Sequence, residues 1–390
     1  MKIIEHNNIR SFITFGDIHG EFHTFFNTLK KGLHFNKETY KEEVHPLVKQ
    51  EMEDKENQND GLWRPRSISF GESYHKKYDF TRKLIFVCGD CGFGFNKHQY
   101  YVDTFKMINE ILKNNDSYLY FIRGNHDDPS YFKEDKLNFS HIKCIDDYTV
   151  IKIKNENILC VGGGISVDRI WRKQQEHVIN KYKSENSKKK LYWENEAPIY
   201  DENELLELIK QDININHIIT HSAPSFADPK YKDTSLEWYK LDSSLKDDVK
   251  YEREVFDNIY NFLKEHKMTI KTWSYGHFHQ DYSNLYKDET LMTSLSEMAH
   301  VTPLNLYNDL IRLTNYKKLK KNNDPLINNL SQENYIRFNA EQIEQFEEMT
   351  RLVRDELDRR VRIRNTNIEE NVEINNNIDY NLTPIDIEPF

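Results

Sequence analysis

Glycine is scarce in this chain, at 13 of 390 residues, and all but Gly32, Gly61 and Gly71 crowd into a few short segments. Cysteine is scarcer, with four residues at 88, 91, 144 and 160. Cys88 and Cys91 have the spacing of half a zinc site, but Cys144 and Cys160 do not supply the second close pair that would complete it. Cys88 and Cys160 also end apolar strand patterns, where a thiol packs as a small hydrophobe. Reduced thiols in a cytoplasmic protein are therefore expected. No run of about 18 apolar residues occurs, so no membrane span is expected. Met1 to Arg10 is polar and lacks the apolar stretch of a secretion signal. Basic charge is also short, with 54 Lys and Arg against 64 Asp and Glu and a formal net charge of -10. That balance argues against general nucleic-acid binding, which needs a basic face, although a local basic groove is compatible with it.

What is present is an alternation of strand and helix patterns. Strand-like apolar runs occur at Phe12–Phe15, Leu84–Cys88, Tyr118–Ile122, Tyr148–Ile153, Ile158–Val161, His217–Thr220 and Thr272–Tyr275. Phe22, Phe25, Phe26 and Leu29 follow a helical rhythm that Gly32 can stop. Tyr101, Phe105, Ile108 and Leu112 form a second helical stripe, and Val255, Ile259, Phe262 and Leu263 a third. Such stripes are core packing, and the alternation predicts an α/β fold with sheets layered between helices. A charged, mixed stretch at 36–83 looks inserted, and Tyr182 to Lys190 reads as a solvated loop. The expected organisation is a catalytic domain at 1–303 containing that insertion, a polar extension at 304–364 and an acidic tail at 365–390. Ile343, Phe346, Met349, Val353, Leu357 and Val361 mark an amphipathic helix in the extension, with Asn339 and Gln342 as a capping pair. The tail has six acids, many Asn and no Lys or Arg, and is expected to be disordered.

Five short segments follow the apolar runs. They are Gly16-Asp17-Ile18-His19-Gly20, Gly89-Asp90-Cys91-Gly92, Gly124-Asn125-His126-Asp127, His221, and Gly276-His277-Phe278-His279. Each would sit at the carboxyl end of a strand, the edge where α/β sheets collect ligand groups. Carboxylate, imidazole and amide oxygen are the donors of a hydrolytic metal site. Most of the chain's glycine lies in these loops or in Gly162-Gly163-Gly164, where the backbone must turn sharply or approach a ligand. Taken singly each segment has a bland reading, as a turn or a pair of surface imidazoles. Together, in this order, they closely resemble the calcineurin-like metallophosphoesterase superfamily over residues 15 to 279.

The resemblance implies a four-layer α/β/β/α sandwich and two divalent metal ions, manganese first, with iron, zinc or magnesium able to take such ligands. It implies that Asp17, His19 and His279 hold one metal, that Asn125, His221 and His277 hold the other, and that Asp90 bridges them. His126 would face the substrate phosphate and act as general acid, with Asp127 beside it in the catalytic segment and Asn125 also near the phosphate. The implied chemistry is attack on a phosphate ester by a hydroxide that the two metals activate.

The opening motif and Arg123-Gly-Asn-His resemble the phosphoprotein phosphatase branch. That branch, however, has an Asp and an Arg where this chain has Phe93 and Gly94. A closer resemblance is to bacterial and phage metallophosphoesterases, carried by Gly162-Gly163-Gly164-Ile165-Ser166-Val167-Asp168-Arg169-Ile170-Trp171-Arg172 and by Tyr192-Trp193-Glu194-Asn195-Glu196. Arg169 or Arg172 would supply the phosphate-holding guanidinium, unless both merely pair with Asp168 and brace the loop. The expected substrate is a phosphomonoester, as a phosphoprotein or a nucleotide. A phosphodiesterase or nuclease of the same superfamily is the alternative, and a non-catalytic scaffold of the same fold the second.

Overall fold

The structure, a computed structural model, describes residues 1–9, 11–33, 79–134, 136, 137, 139–184, 188–229, 235–287, 289–308, 310 and 311. Most of the insertion at 36–83, nearly all of the extension at 304–364 with its expected helix, and the tail at 365–390 lie outside the described residues.

In chain order the first strands are β1 (Ile3–His6), β2 (Phe12–Phe15), β3 (Leu84–Val87), β4 (Tyr118–Phe121), β5 (Ile142–Cys144) and β6 (Thr149–Ile153). They are followed by β7 (Glu156–Val161), β8 (His217–Thr220), β9 (Thr272–Tyr275), β10 (Tyr282–Tyr286), β11 (Thr290–Ser294) and β12 (His300–Val301). Helices among the described residues include α1 (Phe22–Gly32), α2 (His98–Asn114), α3 (Ser130–Lys133), α4 (Arg169–Asn180), α5 (Glu202–Lys210), α6 (Ser235–Leu241) and α7 (Leu245–Glu265). The strands form a seven-stranded sheet, ordered β1-β6-β7-β8-β9-β11-β10, and a five-stranded sheet, ordered β12-β2-β3-β4-β5.

The two-residue period of the strands builds the layers. On β3, Ile85 and Val87 join a core with Phe22, Phe25, Phe26 and Leu29 of α1 and Phe105, Ile108 and Leu112 of α2. Leu84 and Phe86 of the same strand point the other way and meet Ile151, Ile158, Cys160 and Ile219 of the larger sheet. Ile218, next to Ile219, joins a third core with Leu205 and Leu208 of α5 and Val255, Phe256 and Ile259 of α7. The result is helix, sheet, sheet, helix in four layers. Each buried Phe or Leu of α1 contributes about 1.5–3 kcal/mol by leaving water, so Phe25→Ala would cost about 3–5 kcal/mol once the cavity is included.

Parallel register fixes where the loops gather. Phe12 pairs with Leu84 and Leu84 with Tyr118, so β2, β3 and β4 end level with one another. His217 pairs with Thr272 in the second sheet, so β8 and β9 end level too. The segments after these five strands meet at one edge of the sandwich.

Candidate metal centre

Asp17 and Asp90 are fully buried at that edge, after β2 and β3. Ligand atoms of Asp17, His19, Asp90 and His279 all lie within 4.8 Å of one another. Nε2 of His279 is 3.1 Å from Oδ2 of Asp17 and 3.2 Å from Nε2 of His19. Two imidazole nitrogens facing each other beside a carboxylate suit a shared cation better than they suit one another. On the other side of Asp90, Nε2 of His221 lies 3.2 Å from Oδ1 of Asp90 and 2.8 Å from Oδ1 of Asn125. The His277 ring packs on that of His221 with centroids 4.8 Å apart. Asp90 thus stands between the two groups.

The backbone is forced to deliver these side chains. His19, Asp90, His277 and His279 all have positive φ, at 44°, 45°, 69° and 55°. Non-glycine residues hold that conformation at a cost of about 1–3 kcal/mol each, and they cluster at functional sites. Two glycines permit the close approach: a Cβ on Gly276 would collide with Oδ1 of Asp17, and one on Gly124 with Oδ1 of Asp90.

Charge fits cations. Oδ1 of Asp90 accepts the His126 N–H at 2.9 Å, but its Oδ2 is buried with no hydrogen-bond partner among the described residues. A buried carboxylate oxygen is costly unless a positive charge meets it. Burial opposes ionisation of Asp90, yet His126, His221 and His19 around it hold its carboxyl well below the usual range. Burial likewise opposes charge on His221, but Asp90 and Asp17 outweigh it and push the imidazole up to about 9. The donor set therefore suits divalent cations: Asp17, His19, Asp90 and His279 could hold one, and Asn125 and His221 stand on the other side of Asp90 with His277 packed beside them. Nδ1 of His221 faces the Cys88 carbonyl at 2.8 Å and leaves Nε2 towards Asp90.

With this geometry in place, a family model described as calcineurin-like phosphoesterase matches residues 11–281. The chain belongs to that family. Its members are phosphoesterase hydrolases that use divalent metals, so this protein is an enzyme of metal-dependent phosphate-ester hydrolysis. No match is found among curated proteins. Among solved structures it is similar to a cold-active protein-tyrosine phosphatase of a psychrophile, Shewanella sp., with 13% identity and a TM-score of 0.28 over 75% of this chain and 72% of that one. That likeness is too slight to bear on fold or substrate. Among the described residues no helix is long and apolar enough to cross a membrane.

Other side chains expected at the phosphoesterase site divide. Nη2 of Arg172 lies 2.7 Å from Nε2 of His126, while Nε of Arg172 donates to Asp168 at 2.7 Å. Arg169 instead turns to Asp242 and Asp248, each 2.6 Å away, and does not reach His126. Asp127, expected in the catalytic segment, spends both oxygens on four backbone N–H groups, those of Cys91, Gly92, Phe93 and Gly124. Burial and the nearby Asp90 charge raise its carboxyl to about 6. It braces the loops that carry Asp90 and His126. Asn125 donates one N–H of its Nδ2 to Ser166 at 2.8 Å. Phe93, standing where the phosphatase branch has Asp, is buried against Tyr101, Phe121 and Tyr131.

Several neighbours of the centre escape sequence reasoning. Oε1 of Glu297, between β11 and β12, is 3.2 Å from Nδ1 of His279. Glu252, on α7, is buried 3.7 Å from Nε2 of His277. Arg123 is buried and donates to the Glu196 carbonyl at 2.8 Å and to Asp147 at 2.9 Å, which makes it a loop anchor. Glu196 and Arg123 lay within segments that stood out by resemblance; Glu252 and Glu297 carry no local signal.

Proposed function

We propose that the protein hydrolyses phosphomonoesters in the manner of a protein phosphatase, with two divalent cations held by the seven residues named above. The observation that carries this is the gathering of two ligand groups on either side of one buried aspartate. Bound there, the cations, manganese first among them, would supply Lewis acidity towards the phosphoryl oxygens and the attacking water. His126 borders this space, with its ring centroid 5.2 Å from that of His19, and serves as general acid, giving a proton to the leaving oxygen. Arg172, braced by Asp168 and the Leu191 carbonyl, places a fixed guanidinium beside that imidazole. An extra fixed cation suits the dianion of a monoester better than the single charge of a diester. A non-catalytic scaffold is disfavoured because the imidazole and all seven proposed ligands are present. Four buried free thiols support placement in a reducing, cytoplasmic compartment.

A second reading has one observation in its favour. A groove of about 1000 Å³ between α4 and residues 188–195 is lined by Lys173, Lys181, Lys188 and Lys190, against Glu176 and Glu194. A lysine-rich channel in an acidic protein suits a nucleic-acid strand, and so a phosphodiesterase. Hydrolysis of p-nitrophenyl phosphate and of its bis ester, with Mn²⁺ and with chelator, decides between them. Faster metal-dependent turnover of the monoester is expected; preference for the bis ester selects the second reading, and no turnover of either removes both.

A further inference from the structure

Two buried glutamates outside the ligand set face the same half of the centre from behind. Glu196 accepts the Ser166 hydroxyl on Oε2 at 2.6 Å and the Ser166 N–H on Oε1 at 2.9 Å. A serine hydroxyl has one proton; with Glu196 ionised, the state that a cation in this half-site favours, that proton goes to the carboxylate and the oxygen can only accept. It accepts from Nδ2 of Asn125 at 2.8 Å. An amide held by its nitrogen on one side turns its oxygen to the other, and Oδ1 of Asn125 faces Nε2 of His221 at 2.8 Å. Glu252 approaches from α7: it accepts the Ser222 hydroxyl and the Ile165 N–H, and its Oε2 is 3.7 Å from Nε2 of His277. The loop between these arms closes over the same ligands, since Gly164 lies against His221, Asn125 and His277.

The two halves of the centre are unequal in charge. Asp17 gives the His19–His279 half a carboxylate of its own. The Asn125–His221–His277 half has only neutral donors beside the shared Asp90. Compensation for a divalent charge there has to come from one hydrogen bond further out, where such partners set both ligand orientation and affinity.

We infer that Glu196, acting through Ser166, and Glu252 are positioning residues that set cation affinity in the Asn125–His221–His277 half-site. Glu196 determines which end of the Asn125 amide is offered. Glu252 occupies the Nε2 side of His277 and leaves Nδ1 to the centre. The glycine-rich loop and the acidic stretch that stood apart in the sequence thus meet in one device, at Ser166. The assignment rests on the two-cation reading of the centre.

The full-length, metal-free protein is titrated with Mn²⁺ by calorimetry and by electron paramagnetic resonance, alongside Ser166→Ala, Glu196→Gln and Glu252→Gln. Wild type is expected to bind two ions and to show a spin-coupled pair. In each variant one binding step weakens about 10–100-fold, the coupled spectrum disappears at stoichiometric Mn²⁺, and the other step is unchanged. Ser166→Ala leaves Glu196 and the Asn125 amide each short of a buried partner and is expected to lower the metal-free melting temperature, so the titrations are run well below that melt, where circular dichroism shows the variant folded and a folding defect is separable. Equal weakening of both steps, or two intact steps in a folded Ser166→Ala, overturns the inference while leaving the two-cation reading in place. Failure of wild type to take up a second ion overturns both.

Discussion

One nitrogen of the Arg172 guanidinium lies 3.0 Å from Nδ1 and 2.7 Å from Nε2 of His126. The guanidinium is aimed there by Asp168 on its Nε and by the Leu191 carbonyl on its other nitrogen. Arg169, three residues earlier, is fully engaged by Asp242, Asp248 and Ser244. Arg172→Ala should therefore lower kcat/KM for p-nitrophenyl phosphate about 10²–10³-fold at saturating Mn²⁺. Arg172→Lys should restore little, because an ammonium lacks the planar fork. Arg169→Ala should keep turnover and lose melting temperature. Equal kinetic losses in the two alanine variants would contradict this division of labour.

Asp127 gives a contrasting expectation. Its oxygens accept from four backbone N–H groups, at 2.8 to 3.1 Å. Asp127→Asn keeps the shape but turns an NH₂ towards donors, leaving one or two buried N–H groups unmet at a cost of about 2–4 kcal/mol. Denaturant melts of the metal-free protein read that loss directly. Unchanged stability with lost turnover would return Asp127 to the catalytic role that its position in Gly124-Asn125-His126-Asp127 suggested.

All seven apolar runs in the sequence form strands, because each is a short hydrophobic stretch buried on both faces, as the fully buried β3 and β8 illustrate. The segments of the candidate centre were legible for a related reason: they are local, and each directly follows such a run. Longer-range features were not. The helix α4 has no fully buried residue, and its lysine and arginines, Arg169, Arg172 and Lys173, keep its mean hydropathy low, so it does not stand out as a core helix. On α7, Glu252 and Arg253 face inward among apolar neighbours and break the stripe that reveals Val255 and Ile259. The strand β10 is largely solvent-facing and has no apolar alternation to read. Arg169 and Arg172 lie on the same helix turn, and only the fold decides that one faces His126 and the other Asp242.

Glu196 makes the metal-free protein sensitive to pH. Burial raises its carboxyl to about 8, against about 4.5 for an exposed glutamate. The folded state then holds a proton that the unfolded chain releases, so this contribution is complete below about pH 4.5 and lost as pH rises through 8. Glu196→Gln removes the titration. The melting temperature of wild type relative to Glu196→Gln should therefore fall steadily between pH 5 and pH 8, with the metal-free proteins compared at each pH. A difference that is flat over that range, or that grows with pH, contradicts a protonated Glu196 in the fold.

Asp90 is the residue whose loss should be felt on both sides of the centre. Its Oδ1 already holds the His126 N–H and faces His221, while Oδ2 is buried without a hydrogen bond. One carboxylate between two cations contributes to the binding of each, whereas His19 serves only one. His19→Ala should accordingly weaken one step of Mn²⁺ binding, and Asp90→Asn should weaken both. Turnover should fall at least about 10³-fold in Asp90→Asn, the scale of several kcal/mol of lost transition-state stabilisation. Chelator should abolish wild-type hydrolysis and Mn²⁺ should restore it, while Asp90→Asn stays inactive after the same cycle. Should Asp90→Asn weaken only one binding step, the aspartate belongs to one ion, and the centre is two neighbouring sites without a bridge.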